Sequence, residues 1–330
     1  MSARINAADI LVVGTAIDPH VAAVLDLISD DIAVCRFNVD EFPAANRVTV
    51  ATGDSTPAII VDTPAGSWNV GGCPIVWFRR LGRPGISADL SEAHQRFAGG
   101  EAEEALTGAL SVANPRRWLN EYWSTRRAST KILQYETARL VGLLTPETFV
   151  SSDPKRVHHF LESNVSGELI YKTLHSPVID YPDQRVRGFI FTNRIENIDM
   201  ERLALVSYAP AQFQRSIEVA YELRVTSIGE QHIGVRIDGA SRDSKVRDWR
   251  ADDDRLSYRR YELPSDIEGR LSQLMGRLQL QFGASDWIVT PNGNYVFLEI
   301  NPHGAWLWLE EQVSGLPVTA TVADFLEAAC

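Results

Sequence analysis

The stretch from Asp286 to Pro302, D-W-I-V-T-P-N-G-N-Y-V-F-L-E-I-N-P, constrains the fold more tightly than any other part of this chain. Two alternating, largely apolar runs flank Pro291-Asn292-Gly293-Asn294, which predicts a β-hairpin closed by a short turn. With those four residues as the loop, Thr290 faces Tyr295, Ile288 faces Phe297 and Asp286 faces Glu299. Asn301, two residues beyond Glu299, falls on the same face. Trp287, Val289, Val296, Leu298 and Ile300 then form an apolar face that must pack on a core. The other face carries Thr290, Ile288 and Phe297 and ends in two carboxylates and an amide. Directly opposed side chains sit about 4.5–5.5 Å apart at Cβ, and like charges so placed destabilise a sheet. A hard cation such as Mg²⁺ takes oxygen ligands from one or two carboxylates and would turn that repulsion into attraction. Asp286, Glu299 and Asn301 are therefore the candidate metal ligands. The plainer alternative is a sheet end whose carboxylates diverge into water.

Upstream of the hairpin, 330 residues leave room for two or three domains, or one elaborate one. The formal net charge of -11 argues against nonspecific nucleic-acid binding. No apolar run approaches the roughly 20 residues that span a bilayer. The polar start, Met1 to Asp9, runs straight into Ile10–Gly14 and reads as no signal peptide. Cys35, Cys73 and Cys330 form neither a zinc nor a redox spacing and suit a reducing compartment. The expectation is a cytoplasmic protein with no nucleic-acid and no membrane partner.

Three segments are expected, 1–120, 121–203 and 204–330. The first opens as strand, helix (18–28) and strand (32–38), half of an open α/β domain, with Gly14 read as permitting a turn. Arg47–Ala51, Ala58–Asp62 and Pro74–Arg80 read as hairpin-like strands, and a helical pattern runs from Ser87 to Asn114. A long helix is expected over 125–143. The central segment reads as a small α+β unit, with strands at 148–151, 169–174 and 188–192 and a helix at 154–163. The last begins with strands at 204–208, 221–228 and 233–238. A helix over 264–282, the hairpin and a final helix over 318–328 follow.

Several cations accompany the hairpin. Lys172 sits in Leu169-Ile-Tyr-Lys-Thr-Leu174, and a lysine in an apolar strand needs an anion, because an unpaired buried ammonium is costly. Lys131 stands early on the long helix, where a solvated surface lysine is the plainer reading. Glu222 and Arg224 share a strand face, and Arg236 lies on the next strand. These are either cross-strand salt bridges or a phosphate clamp. The run Ser241–Arg250 adds Arg242, Lys245, Arg247 and Arg250 around Trp249.

Together these residues resemble a known family. Gly283–Glu310, GASDWIVTPNGNYVFLEINPHGAWLWLE, is similar to the C-terminal signature of ATP-grasp ligases and, more closely, of graspetide (microviridin-type) ribosomal peptide maturases. Trp77-Phe-Arg-Arg80, the helix with Lys131, Tyr171-Lys-Thr-Leu174, Phe191-Thr-Asn193, Ala211-Gln-Phe-Gln214, Glu222-Leu-Arg-Val225 and Asp248-Trp-Arg250 match in order. The resemblance implies an α/β (α+β) ATP-grasp fold. It has an N-terminal pre-ATP-grasp α/β domain, a small central α+β lobe and a C-terminal antiparallel-sheet lobe. It implies ATP held by Lys131, Lys172 and Glu222, with its adenine at the backbone of Gln212, Phe213 and Gln214. Arg224 and Arg236 would serve the phosphate or acyl phosphate, and Asp286, Glu299 and Asn301 would hold Mg²⁺. Arg79, Arg80, Arg250, His303 and Trp306 are its candidate substrate contacts. Where the family commonly reads E-x-N-P-N-G-Q-W, this chain has His303 and Ala305. His303 reads as a tolerated loop residue.

The activity so implied joins an Asp or Glu side chain of a ribosomally made precursor peptide, leader plus core, to a Ser/Thr hydroxyl or a Lys amine. ATP is consumed and ADP released. An ATP-grasp ligase adding an amino acid or small amine to a carboxylate keeps the fold and changes the substrate. A nucleotide- and peptide-binding protein without turnover is the third reading. The acidic first segment and Trp77–Arg80 are candidate contacts for either the peptide or a homodimer partner.

Overall fold

A computed structural model describes residues 4–53, 58–164, 168–175, 178–181, 186–190, 192–195, 200–239 and 256–330. Phe191 and the basic run with Arg242, Lys245, Arg247, Trp249 and Arg250 lie outside the described residues.

Ile10–Gly14 is buried at all five positions and forms the inside of a parallel sheet. Its order is Val34–Asn38, Ile10–Gly14, Ile75–Phe78, Arg117–Trp118. A strand covered on both faces reads as a continuous apolar run rather than an alternating one. The hairpin expected for Pro74–Arg80 is therefore corrected: Ile75–Phe78 runs parallel beside Ile10–Gly14. A second sheet, with Ile5–Ala7, Gly66–Asn69, Ala58–Thr63 and Arg47–Ala51 in that order, completes the domain with the helix Glu92–Val112. Asp18 caps the helix Pro19–Leu25 by accepting from the His20 N–H, and Pro19 supplies the preset first turn.

The helix expected over 125–143 is two helices, Tyr122–Ala128 and Lys131–Leu140, separated at Ser129-Thr130. Lys131 is thereby the first residue of a helix, at the positive end of its dipole. The strand expected at 204–208 is instead the end of the helix Met200–Ala204 and a single 3₁₀ turn, Leu205–Ser207.

The central sheet runs Asn193–Arg194, Leu169–Lys172, Ala211–Arg215, Thr148–Ser151. Ala211–Arg215 pairs with Leu169–Lys172 on one side and Thr148–Ser151 on the other, so it is an inner strand of this sheet.

The C-terminal sheet is antiparallel, ordered Ser257–Tyr261, Gln231–Asp238, Tyr221–Ile228, Phe282–Val289, Tyr295–Asn301. One face (Leu223, Val225, Trp287, Val289, Phe297, Ile300) packs on the helix Ser265–Leu278 through Ile267, Leu271, Leu274 and Leu278. On the other face Ile228, Ile233, Val235 and Phe282 close against Ile10 and Val12 of the first domain. What remains of that second face, at its upper end, carries Glu222, Arg224, Asp286 and Glu299.

The opening hairpin forms with one change of register. Asp286 pairs with Glu299, as expected, but Trp287 pairs with Phe297 and Val289 with Tyr295. The loop is one residue longer than expected, Thr290–Asn294, with Gly293 at φ 81° where a side chain would be strained. A bulge at Leu298 absorbs the difference. It turns Phe297 into the core, edge-on to Trp287 at 5.2 Å between ring centres, while Glu299 still faces outward. Among the described residues no helix is long and apolar enough to cross a membrane.

Candidate active site

The candidate metal corner is built from two neighbouring strand pairs. Asp286 lies between Arg224 on one side and Glu299 on the other, in register with both. Arg224 is buried, and its Nη1 donates to Asp286 Oδ1 at 2.7 Å while Nη2 reaches the Ala305 carbonyl at 3.4 Å. Its Nε is enclosed with no hydrogen-bond partner among the described residues. Glu299 meets the Lys131 ammonium at 3.1 Å, and the same ammonium donates to the Thr173 carbonyl at 3.0 Å. Each carboxylate thus faces a cation from a different element. Asn301 is exposed, and its Oδ1 accepts from the His303 N–H at 2.8 Å. Two carboxylates and one amide oxygen are hard donors that fit a Mg²⁺ ion completing its shell with water and phosphate oxygens.

The lysine helix brings Tyr135 into this corner, four residues and one turn from Lys131. Burial pushes the Tyr135 hydroxyl up to about 12, and it accepts from Gln212 Nε2 at 3.0 Å. Lys172 is half-buried and in register with Gln212, so both extend from the same sheet face. Gln212 and Gln214 are buried, and the side-chain oxygen of each lacks a partner among the described residues.

Three expectations require correction here. The backbone of Gln212, Phe213 and Gln214 sits in an inner strand whose pairing engages it from both sides, and Phe213 packs in the lobe's own core beside Tyr171. Arg236 is in register with Leu223, hence on the helix-covered face, opposite Arg224. There its guanidinium stacks over Tyr221 at 3.6 Å and bonds Asp238 at 2.6 Å. Trp306 is 1 % exposed, and its indole N–H is donated to Thr319, so it presents nothing to a substrate.

A second cluster stands where the parallel strands of the first domain end. Arg79 is buried to 2 % exposure and donates to the His303 carbonyl at 2.8 Å, with its guanidinium over Trp306 at 5.1 Å. This makes Arg79 a brace between domains. Asp18 lies 3.3 Å from Arg79 and 3.4 Å from Arg80, and it also bonds the His20 ring. Burial alone would raise the Asp18 carboxyl, but the His20 bond and the two guanidinium groups outweigh it and hold it well below the usual range. The Trp306 N–H donates to His20 Nε2 at 3.2 Å, which leaves Nδ1 to donate to Asp18. Arg80 is 45 % exposed at its side chain and is the cation of this cluster that opens to solvent.

His303 is more engaged than a tolerated loop residue. It stands edge-on to Phe78 at 5.6 Å, and burial, then Arg79 and Arg80, pushes it down to about 4. Gly304 beside it permits a close approach: a Cβ there would lie 2.2 Å from the Ala284 Cβ and 3.0 Å from Arg224 Nη2. Sequence reasoning missed Asp18, His20 and Tyr135. Helical spacing from Lys131 would have found Tyr135, whereas Asp18 and His20 looked like an ordinary helix start.

The chain is similar to known proteins both in its N-terminal part and over its whole length. Residues 13–126 match the family model of the MvdD pre-ATP grasp domain. No curated protein matches the sequence. The structure is similar to that of a Chryseobacterium gregarium RiPP-associated ATP-grasp ligase in complex with ADP and a leader and core peptide. The identity is 28%, covering 99% of this chain and 98% of that one, with a TM-score of 0.87. It is also similar to the macrocyclase MdnC bound with precursor peptide MdnA from Microcystis aeruginosa MRC, at 28% identity, 97% and 99% coverage and a TM-score of 0.85. The macrocyclase MdnB of the same organism follows at 26% identity, 97% and 99% coverage and a TM-score of 0.79. The N-terminal part thus matches an MvdD pre-ATP grasp domain, and over its whole length the chain has the ATP-grasp fold and is similar to ligases of the RiPP-associated group.

Proposed function

We propose that this ligase crosslinks a ribosomal precursor peptide, using ATP and Mg²⁺. The observation that carries the reading is the corner itself, in which Asp286 and Glu299 oppose one another and each meets a cation from another element. Asp286, Glu299 and Asn301 would hold Mg²⁺, which when bound neutralises phosphate charge. Lys131 and Lys172 would bind the phosphates from the side of the central lobe. An Asp or Glu carboxylate of the peptide attacks the γ-phosphorus of ATP, forming an acyl phosphate and releasing ADP. A Ser/Thr hydroxyl or Lys amine of the same peptide then attacks the carbonyl carbon. The C–O bond to phosphate breaks, and the attacking group loses its proton. Arg224, held by Asp286 beside the corner, is positioned to stabilise charge on the transferring group.

No protein nucleophile is required, and the work is charge neutralisation and the positioning of two groups of one peptide. Arg80, exposed beside Asp18, receives a peptide carboxylate in this reading. The test is mass spectrometry of the enzyme with a Ser/Thr- and Asp/Glu-rich peptide encoded beside its gene. Loss of one water per crosslink, dependent on both ATP and Mg²⁺ and absent in Glu299→Gln, is the expected result. A gain equal to an added amino acid or amine would replace crosslinking with carboxylate–amine ligation. The same peptide masses with and without ATP would remove the crosslinking function.

A further inference from the structure

The strand that presents Glu299 and Asn301 is the outer strand of its sheet. Its free edge therefore has backbone groups that no strand satisfies, and an edge so placed must be covered or bonded by something else. Gln134 does this at one residue. It is 2 % exposed, and its amide oxygen accepts from the Ile300 N–H at 2.9 Å while its amide nitrogen donates to the Ile300 carbonyl at 2.8 Å. Ile300 lies between the two candidate ligands, so both its neighbours inherit whatever freedom it has. The same Gln134 amide nitrogen donates to the Ala128 carbonyl at 2.7 Å, which ties the end of the preceding helix to this point. One residue past Asn301, Asn120 makes a corresponding bond. Its amide nitrogen donates to the Pro302 carbonyl at 3.4 Å and the Phe282 carbonyl at 2.9 Å, and its oxygen accepts from the Phe282 N–H at 2.8 Å. Further along the same edge, the Phe297 N–H donates to the Leu144 carbonyl at 2.8 Å, below the bulge.

We infer that Gln134 is the positioning residue of the metal corner. Its amide, buried on the helix that also supplies Lys131, fixes the backbone between Glu299 and Asn301 and so sets the spacing of the two ligands. The lysine helix then has two roles. Lys131 at its first residue answers the charge of Glu299, and Gln134, three residues later on the same face, holds the strand that carries it. Groups that orient metal ligands from behind, without touching the metal, alter its affinity when removed, typically by about 10–100-fold.

This inference rests on Asp286, Glu299 and Asn301 being the metal ligands, and its test separates the two ideas. Mn²⁺ binding is followed by electron paramagnetic resonance in the presence of ADP, and ADP binding by calorimetry with and without metal. The proteins are wild type, Glu299→Gln and Gln134→Met, the last keeping length and bulk while deleting both bonds to Ile300. The expected result is Mn²⁺ binding at least about tenfold weaker in Gln134→Met, with metal-free ADP affinity unchanged. If Gln134→Met does not fold, Gln134→Glu takes its place. It keeps an acceptor for the Ile300 N–H and loses the donor to the carbonyl, and weaker Mn²⁺ binding is expected again. Wild-type Mn²⁺ affinity in a folded Gln134 variant would overturn the inference, as would an equal loss of Mn²⁺ and metal-free ADP binding. Wild-type affinity in Glu299→Gln would instead overturn the corner reading while leaving the role of Gln134 as a plain edge cover.

Discussion

Arg224 and Arg236 show how much one step of register decides. Both are arginines on paired strands, and in sequence nothing separates them as phosphate ligands. In the sheet, Arg224 is in register with Asp286 and Arg236 with Leu223, which puts them on opposite faces. Only the first reaches the corner. Asp18 is the opposite case, inconspicuous in sequence and central in space. Its carboxylate is held below the usual range against the pull of burial by His20, Arg79 and Arg80. A carboxylate depressed in the folded state contributes stability that is complete above its unfolded value, about 4, and is lost as the pH falls below that. Asp18→Asn keeps the helix cap and removes the charge. It is expected to lower the urea midpoint at neutral pH and to flatten its decline between about pH 4 and 2 relative to wild type. An unchanged acid limb, measured by urea denaturation across that range, would show that Arg79 and Arg80 do not depend on Asp18.

The hairpin was legible as an element and illegible at its bulge. Alternation predicted the two strands, and counting from the turn paired Asp286 with Glu299. That pair survived because two departures cancel, one extra loop residue and one bulged residue. A bulge costs the sequence no visible mark when the residues around it are all apolar. Val296, Phe297 and Leu298 would each suit the core, and only packing against Trp287 selects Phe297. Deleting Leu298 tests whether the bulge itself is needed. With Leu298 gone, the pairs Asp286–Glu299 and Trp287–Phe297 become consecutive in regular register, so Phe297 stays in the core and Glu299 in the site. The expected outcome is a folded protein that keeps Mn²⁺ binding and loses well under the roughly 3–5 kcal/mol that removing a buried aromatic costs. Thermal melts and the Mn²⁺ titration read the two effects. Loss of Mn²⁺ binding in a folded variant would mean that the local bend of the bulge, and not the pairing alone, aims the corner. The parallel strand Ile75–Phe78 was misread for a related reason. A short apolar strand buried on both faces carries no periodicity that distinguishes a parallel partner from a hairpin one.

At the scale of the whole chain, Lys131 touches both the central and the C-terminal lobe beside the site. Its ammonium bonds Thr173 at the end of the central strand and Glu299 on the outer strand of the C-terminal sheet. In sequence it reads as a solvated lysine, because helix composition says nothing about which lobes a helix end separates. Its side chain is 18 % exposed, so the contacts are shielded without being dry. Lys131→Met removes both bonds and leaves Asp286 and Glu299 with one cation fewer. Bonds to a charged group contribute about 1.5–3 kcal/mol, and each 1.4 kcal/mol is about tenfold in affinity. ADP affinity is therefore expected to fall by roughly tenfold or more. Amide hydrogen exchange should quicken in Leu169–Lys172, because Thr173 at its end loses the bond to Lys131. Phe282–Val289, bonded on both sides within its own sheet, should keep its protection. Equal quickening in both strands would mean that Lys131 supports the fold at large. Unchanged exchange with weaker ADP would make it a phosphate ligand only, with no part in holding the central lobe over the corner.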